Sequence, residues 1–281
     1  MDNRKFIQYA MFSLLYFAQG AILSYFTALN SLYLLSFDLK MSQIGLMGTI
    51  ALIPFVLKIF LGMLSDKVNL LGKGHRKPYI IIGLLIQVSC LFFVSTINPG
   101  IHFWLYALTA FVLMTGMALY DTCTDGFALD ITPPSEEGRI QGLMVGGRAL
   151  GVVLISGIIG LLIEKTTWQI AFFSLAFLTL IPLPFLLIVK EPVRSIERQF
   201  EWKAFKAFGN RSIICLGFLG ALYSLIINAS NQIVNPFLQE QFNITISTAG
   251  LVTTIWGIGV IIGGITGGRL TDRIGQKNAV L

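Results

Sequence analysis

The sequence predicts an all-α polytopic membrane protein, and three observations carry that reading. Apolar residues make up 55% of the 281, while Asp, Glu, Lys and Arg together make up 12%. A soluble domain carries roughly 25% charged residues, so this chain has too little charge to cover a globular surface in water. The apolar residues are also grouped. Eight stretches, each near the ~20 residues that cross a bilayer as a helix, lie at 7–33, 44–64, 79–97, 102–125, 141–163, 170–189, 213–237 and 248–268. Finally, the net charge of +6 is unevenly placed. Outside the stretches, Lys and Arg fall on the side of the N-terminus, save Lys40 and Lys165. That is the positive-inside pattern, so the N-terminus is expected in the cytoplasm, in a plasma or bacterial inner membrane. The basic excess is thereby a topology signal and not a nucleic-acid footprint. The composition also excludes disorder, collagen, coiled coil and a small secreted scaffold.

The elements follow in order. The first stretch comes after Arg4 and Lys5, as in a signal peptide, but it runs far past a 7–15-residue hydrophobic region and shows no clear cleavage site. It is a span. Short loops join it to the next five, which predicts an N-terminal six-helix bundle over 1–189. The polar segment 190–211 carries Lys190, Arg194, Arg198, Lys203, Lys206 and Arg211. With Ile196, Phe200, Trp202, Phe205 and Phe208 it reads either as an amphipathic helix along the membrane face or as a solvated linker. Spans seven and eight then make a partial second bundle over 212–281. Cys90, Cys123 and Cys215 lie in apolar stretches without paired spacing, so they imply neither disulfides nor a metal site.

A repeat links the two bundles. After span two come Gly62, Asp66 and Lys67, then Gly74, Arg76 and Lys77; after span eight come Gly268, Asp272 and Arg273, then Gly275 and Lys277. Each copy sets Gly, then Asp four residues on, then a base at the same end of a helix. Gly permits close helix approach, and Asp can cap a helix or pair with a base on a neighbour. The pair resembles the signature loops of the major facilitator superfamily, although 68–73 is an insert in the first copy. The resemblance covers the whole chain. It implies twelve helices in two six-helix halves related by an axis along the membrane normal, of which this chain holds the first eight and looks truncated. A narrower resemblance rests on Asp121, Asp125 and Asp130 followed by Pro133, Pro134, Glu136, Glu137, Gly138 and Arg139, with Tyr16, Gln19 and Gly20 in span one and Lys58 in span two. This pattern is similar to the anhydromuropeptide permease branch, with acetyl-CoA and folate–biopterin transporters nearby. It implies secondary active transport of a small polar, possibly anionic metabolite.

Charges inside a membrane cost about 2.5–3.5 kcal/mol each on insertion scales and default to functional hypotheses. Lys58, Asp121, Asp125 and Arg148 are such residues. Measured from Asp66, Asp130 and Arg139 at roughly 1.5 Å per residue, Lys58, Asp121 and Arg148 all lie about 12–14 Å deep. Asp121 and Asp125 share one face of span four. Burial disfavours an ionised carboxylate and a nearby cation favours it, so alternating access can load and release a proton here. Two static alternatives stay open: an ion-pair network that only lets the helices assemble, or Asp125 or Asp130 set against Arg76 or Lys77 as gate charges.

Uncharged polar groups offer a solute surface. Asn228, Asn231, Gln232 and Asn235 form one stripe on span seven, ahead of Pro236, which reads as a gating kink. Gln19, Ser24, Thr27 and Asn30 form a weaker stripe on span one. Interhelical hydrogen bonding is the alternative for both. In the resembled superfamily, helices 1, 4, 7 and 10 line the cavity, while helices 5 and 8 pack between the halves. The glycine pairs Gly142 with Gly146 and Gly147 with Gly151, and the run Gly259, Gly263 and Gly267, are expected to serve that packing. Asn-x-Ser/Thr matches at Asn210, Asn228 and Asn243 read as chance. No nucleophile–base pair, metal cluster or phosphate loop appears, so no enzyme, cofactor or metal is expected. The expected partners are a polar solute, protons and the bilayer, with a monomer as the complete protein. A non-transporting relative that docks assembly partners, or a sensor, is the other reading.

Overall fold

A chain threaded through lipid must satisfy its backbone polar groups internally, and helices are the simplest way to do so. The computed structural model describes residues 3–72, 74–192, 206 and 209–274, and these are helical almost throughout. Span one is α1 (Asn3–Ser24), a π-helical turn (Tyr25–Leu29) and α2 (Asn30–Leu35). Span two is α3 (Met41–Val56) and α4 (Lys58–Lys67). Spans three, four and five are α5 (Lys77–Val94), α6 (Phe103–Ile131) and α7 (Glu137–Lys165). Span six is α8 (Trp168–Leu180) with α9 (Leu183–Ile188), and spans seven and eight are α10 (Arg211–Phe242) and α11 (Ile246–Ile274). Among the described residues, seven helical units are long and apolar enough to cross a membrane. The eighth contributes the shorter apolar run Ile246–Gly259.

The chain chemistry accounts for the boundaries. Gln43 accepts the Lys40 backbone N–H at 3.0 Å and starts α3, and Asn210 accepts the Ser212 N–H at 2.9 Å and starts α10. Asn243 ends α10 in the left-handed conformation at φ 52°. Pro54 lies inside α3, which continues to Val56, and α4 starts at Lys58 after Leu57. Pro182 separates α8 from α9. α10 runs through Pro236 to Phe242. The π turn in span one was not anticipated from the sequence.

Packing places α1 along α7, α5 along α6, and α11 along α7. An aromatic group closes the end of the bundle opposite the N-terminus, called the far face here. Tyr33 lies 4.8 Å from Trp168 and Tyr25 lies 5.2 Å from Phe172, ring centre to ring centre. The glycine expectation needs correcting. Gly147 and Gly151 face the backbone of α1 at Ser13 and Phe17, whereas Gly157 and Gly160 face α11 at Thr254 and Ile246. A side chain at Gly142, Gly146 or Gly259 would meet nothing within 4 Å. The spacing found glycines on α7, but not which of its faces met which helix.

Candidate functional site

The four intramembrane charges meet at one place. Lys58 opens α4 just after the Leu57 break, which turns its amine inward. Its Nζ lies 2.5 Å from Asp121 Oδ2 and 3.5 Å from Asp125 Oδ2. The two acids are one turn apart on α6, so a single ammonium reaches both. From α7, Arg148 Nη2 lies 3.3 Å from Asp121 Oδ1. Asp121 therefore has a cation on each oxygen, and its side chain is 3% exposed. Asp125 differs: its side chain is 39% exposed, and besides the longer Lys58 contact it accepts a hydrogen bond from the Tyr16 hydroxyl.

Span one supplies the rest. Gln19 Oε1 accepts from Arg148 Nε at 2.8 Å and also from Nη2, so this amide is buried as a guanidinium partner. The Arg148 guanidinium also lies 4.8 Å above the Tyr16 ring. Gly20 packs directly on the Arg148 backbone, where any side chain would collide. Tyr16 is the participant that the sequence argument did not assign a role. An aromatic in an apolar run carries no charge signal, and only its place one turn before Gln19 pointed toward the cluster.

The expected stripes divide. Asn30, Asn231 and Gln232 border a narrow cleft of about 50 Å3 together with Leu23, Phe26 and Met114. Asn30 Oδ1 also accepts from the hydroxyls of Tyr25 at 3.3 Å and Tyr106 at 3.2 Å. Asn235 is buried, and its Nδ2 donates to Ala28 O at 2.7 Å in the π turn and to Thr253 Oγ1 at 3.4 Å. The π turn leaves carbonyls without the usual helical donors, which explains why a side chain from α10 is accepted there. The α7–α11 contact lies on the same far side, with Ser156 Oγ 2.8 Å from Thr254 Oγ1 and Glu164 Oε1 accepting the Ser247 N–H at 2.8 Å. The Asn228 side chain lies outside the described residues.

A second charge network occupies the near face, where the N-terminus lies. Arg76, from the first signature loop, is 5% exposed; it donates to Asp66 Oδ1 at 2.6 Å, Ser65 Oγ at 2.7 Å and Asp130 Oδ2 at 3.2 Å. Thus Asp130, and not Asp125, is the acid set against Arg76. Gly62 packs against Thr122 on α6, and Gly126 faces the Arg76 guanidinium. Lys77 Nζ donates to Val189 O at 2.5 Å. Lys67 ends α4. Glu191, which the sequence argument passed over inside a basic segment, accepts the backbone N–H groups of His75, Arg76 and Lys77 at 2.7, 2.9 and 2.9 Å. It is a carboxylate cap on α5 supplied from 115 residues away. The side chains of the second signature loop, Gly268, Asp272 and Arg273, with Gly275, lie outside the described residues, as do 193–205 and 207–208 of the basic segment.

Among the described residues, no group of His, Cys, Asp and Glu is arranged to hold a metal ion. A family model described as Major Facilitator Superfamily matches residues 10–281. The chain is 28% identical over 269 residues to AmpG 1, a protein of Rickettsia conorii named as a transporter, covering 86% of this chain and 64% of the relative. It is 24% identical over 264 residues to the sialic acid transporter NanX of Escherichia coli K12, covering 88% and 61%. The chain thus spans under two thirds of the length of these relatives. Among solved structures, a bacterial homologue of the human lysosomal transporter Spinster, inward-facing and unoccupied, has a TM-score of 0.80 at 18% identity, covering 99% of this chain and 64% of that one. The nucleoside transporter NupG has a TM-score of 0.69 at 17% identity, covering 98% and 69%.

Proposed function

The chain belongs to the Major Facilitator Superfamily, and from that premise we propose that it is a proton-coupled secondary active transporter for a small polar, anionic metabolite of the muropeptide kind. The observation that carries this reading is the unequal treatment of two neighbouring acids. Asp121 is saturated by Lys58 and Arg148, whereas Asp125 is left accessible, 39% exposed, with one long cationic contact. A proton-exchanging carboxylate needs that access, and a fixed counter-ion does not. With Asp125 ionised, the two acids balance Lys58 and Arg148. Protonating Asp125 leaves one net positive charge, which favours an anion beside the 39% exposed Arg148. Proton and anion thus favour each other's binding, as symport requires. Tyr16 positions Asp125 by its hydroxyl and Arg148 by its ring.

Alternating access supplies the two exposures. The far-face contacts at Asn235, Ser156 and Glu164 would open, and the near-face network around Arg76 would hold, in one state; the reverse applies in the other. The proposal includes a cytoplasmic near face, a six-helix bundle over 1–189, a linker over 190–211 and a second bundle from 212, in a bacterial inner membrane. The experiment is uptake of labelled anhydromuropeptide by cells lacking their own permease and expressing the full-length protein. Accumulation that collapses with a protonophore and is lost in Asp125→Asn is the expected result. Accumulation unaffected by both would overturn proton coupling, and surface expression without uptake would overturn the solute class.

A further inference from the structure

Span one carries a turn that is out of step with the helix on either side of it. The Asn30 N–H bonds to the Tyr25 carbonyl, five residues back, and the turn Tyr25–Leu29 is π-helical. Such a turn holds one residue more than an α turn, so the path from α1 to α2 contains an extra residue. The turn itself has no proline or glycine that would force this. The stabilising contact comes from another helix. Asn235, on α10 and 2% exposed, donates from Nδ2 to the Ala28 carbonyl at 2.7 Å. Its Oδ1 is buried and meets no partner among the described residues. An amide satisfied on one side only is held where it is by the packing of α10, and not by its own hydrogen bonds.

The two flanking helices are anchored differently. α1 lies on the backbone of α7, through Gly20 at Arg148 and through Gly147 and Gly151 at Ser13 and Phe17, so turning it would drive side chains into main chain. α2 has six residues and is held by side chains: Tyr33 on Trp168 and Phe172, and Asn30 on the hydroxyls of Tyr25 and Tyr106. We propose that the Tyr25–Leu29 turn is a register switch, π-helical while Asn235 bonds the Ala28 carbonyl and α-helical once α10 withdraws from span one. Absorbing the extra residue turns α2 by about 100° relative to α1 and takes Asn30 out of the cleft that it borders with Asn231 and Gln232. Opening the far face thereby changes the amides that a solute meets. The withdrawal of α10 rests on the alternating-access reading; the switch is a property of span one.

The test compares single-particle structures of the purified full-length parent and Asn235→Ala, together with amide exchange at residues 28–33. In Asn235→Ala the Asn30 N–H should bond to the Phe26 carbonyl and α2 should be turned. Exchange should be about threefold faster, the equivalent of one interhelical hydrogen bond. A Ser156→Cys, Thr254→Cys pair, oxidised in a Cys215→Ser background, holds the far face closed, because the two hydroxyls lie 2.8 Å apart; it should keep the π turn. Removing Ala28 is the second arm. With the extra residue gone, α1 and α2 join as one α-helix with their present faces, so this variant should fold. Removing Ala18 from the regular part of α1 turns every later side chain and should abolish folding. A π turn kept in Asn235→Ala, a π turn lost in the cross-linked pair, or equal loss of folding on removing Ala28 or Ala18 would overturn the proposal. Uptake plays no part in these readouts, so absence of transport leaves the test intact, and a π turn that persists leaves the transport reading standing.

Discussion

Two charge networks share α4 and α6 and differ in how completely they are satisfied. At the near face, Arg76 is nearly sealed and reaches Asp66, Ser65 and Asp130, while Glu191 takes three backbone N–H groups. In mid-bundle, the side chains of Lys58, Arg148 and Asp125 are 30%, 39% and 39% exposed, and Asp121 is closed in. Burying an ion pair is roughly neutral when its geometry is complete, but removing one partner is strongly destabilising. On the proposed reading, the near-face network holds and the central one exchanges. On that reading, acid–base groups on the same helices serve as a clamp in one place and as a proton site in the other.

Breaking the clamp should have the largest effect. Arg76→Ala removes the buried cation that Asp66 and Asp130 share and should lower unfolding stability by about 3–5 kcal/mol, read as the Tm of purified protein in detergent. Arg148→Ala should lose only about 1–2 kcal/mol, because its exposure to water discounts the pair. Equal Tm losses would erase the distinction. Next come the two acids. Asp121→Asn should cost about 2–3 kcal/mol by leaving Arg148 without its carboxylate and Lys58 with only the longer Asp125 contact. Asp125→Asn should stay within about 1 kcal/mol of the parent and still lose protonophore-sensitive accumulation. Tyr16→Phe sharpens this pair: it keeps the ring against Arg148 and removes the hydroxyl from Asp125, so it should shift the pH profile of uptake more than stability. Glu191→Gln keeps acceptors for α5 but removes the negative charge, an expected loss of about 1 kcal/mol, seen as faster amide exchange at residues 75–77. The smallest effect belongs to the far face. Asn235→Ala should cost about 0.6 kcal/mol and raise exchange near Ala28 without altering the Arg76 network.

Much of this was legible beforehand, for identifiable reasons. Lys58, Asp121 and Arg148 stand at equal depths because helix rise is constant, so counting from the ends was enough to put them at one level. The spans were legible because lipid demands long apolar helices, although α6 extends six residues beyond the expected Asp125 to Ile131. What escaped depends on tertiary context. The π turn at Tyr25–Leu29 is stabilised by an amide from α10, and no local pattern announces it. Glu191 caps a helix far away in sequence, which its basic surroundings concealed. Gln19 and Asn235 are polar in apolar helices, which leaves a solute surface and interhelical hydrogen bonding both open, and the structure shows each with a partner on another helix. A polar stripe shows that its residues avoid lipid, not whether they meet solute or protein.

The central claim is that Asp125 exchanges protons while Asp121 is a fixed counter-ion. Infrared difference spectroscopy of the full-length protein in vesicles, stepped in pH, reads it directly through the carboxylic C=O stretch. The account predicts an acid-induced band that disappears in Asp125→Asn and persists in Asp121→Asn. A band that survives in Asp125→Asn and is lost in Asp121→Asn would contradict it and exchange the roles of the two acids.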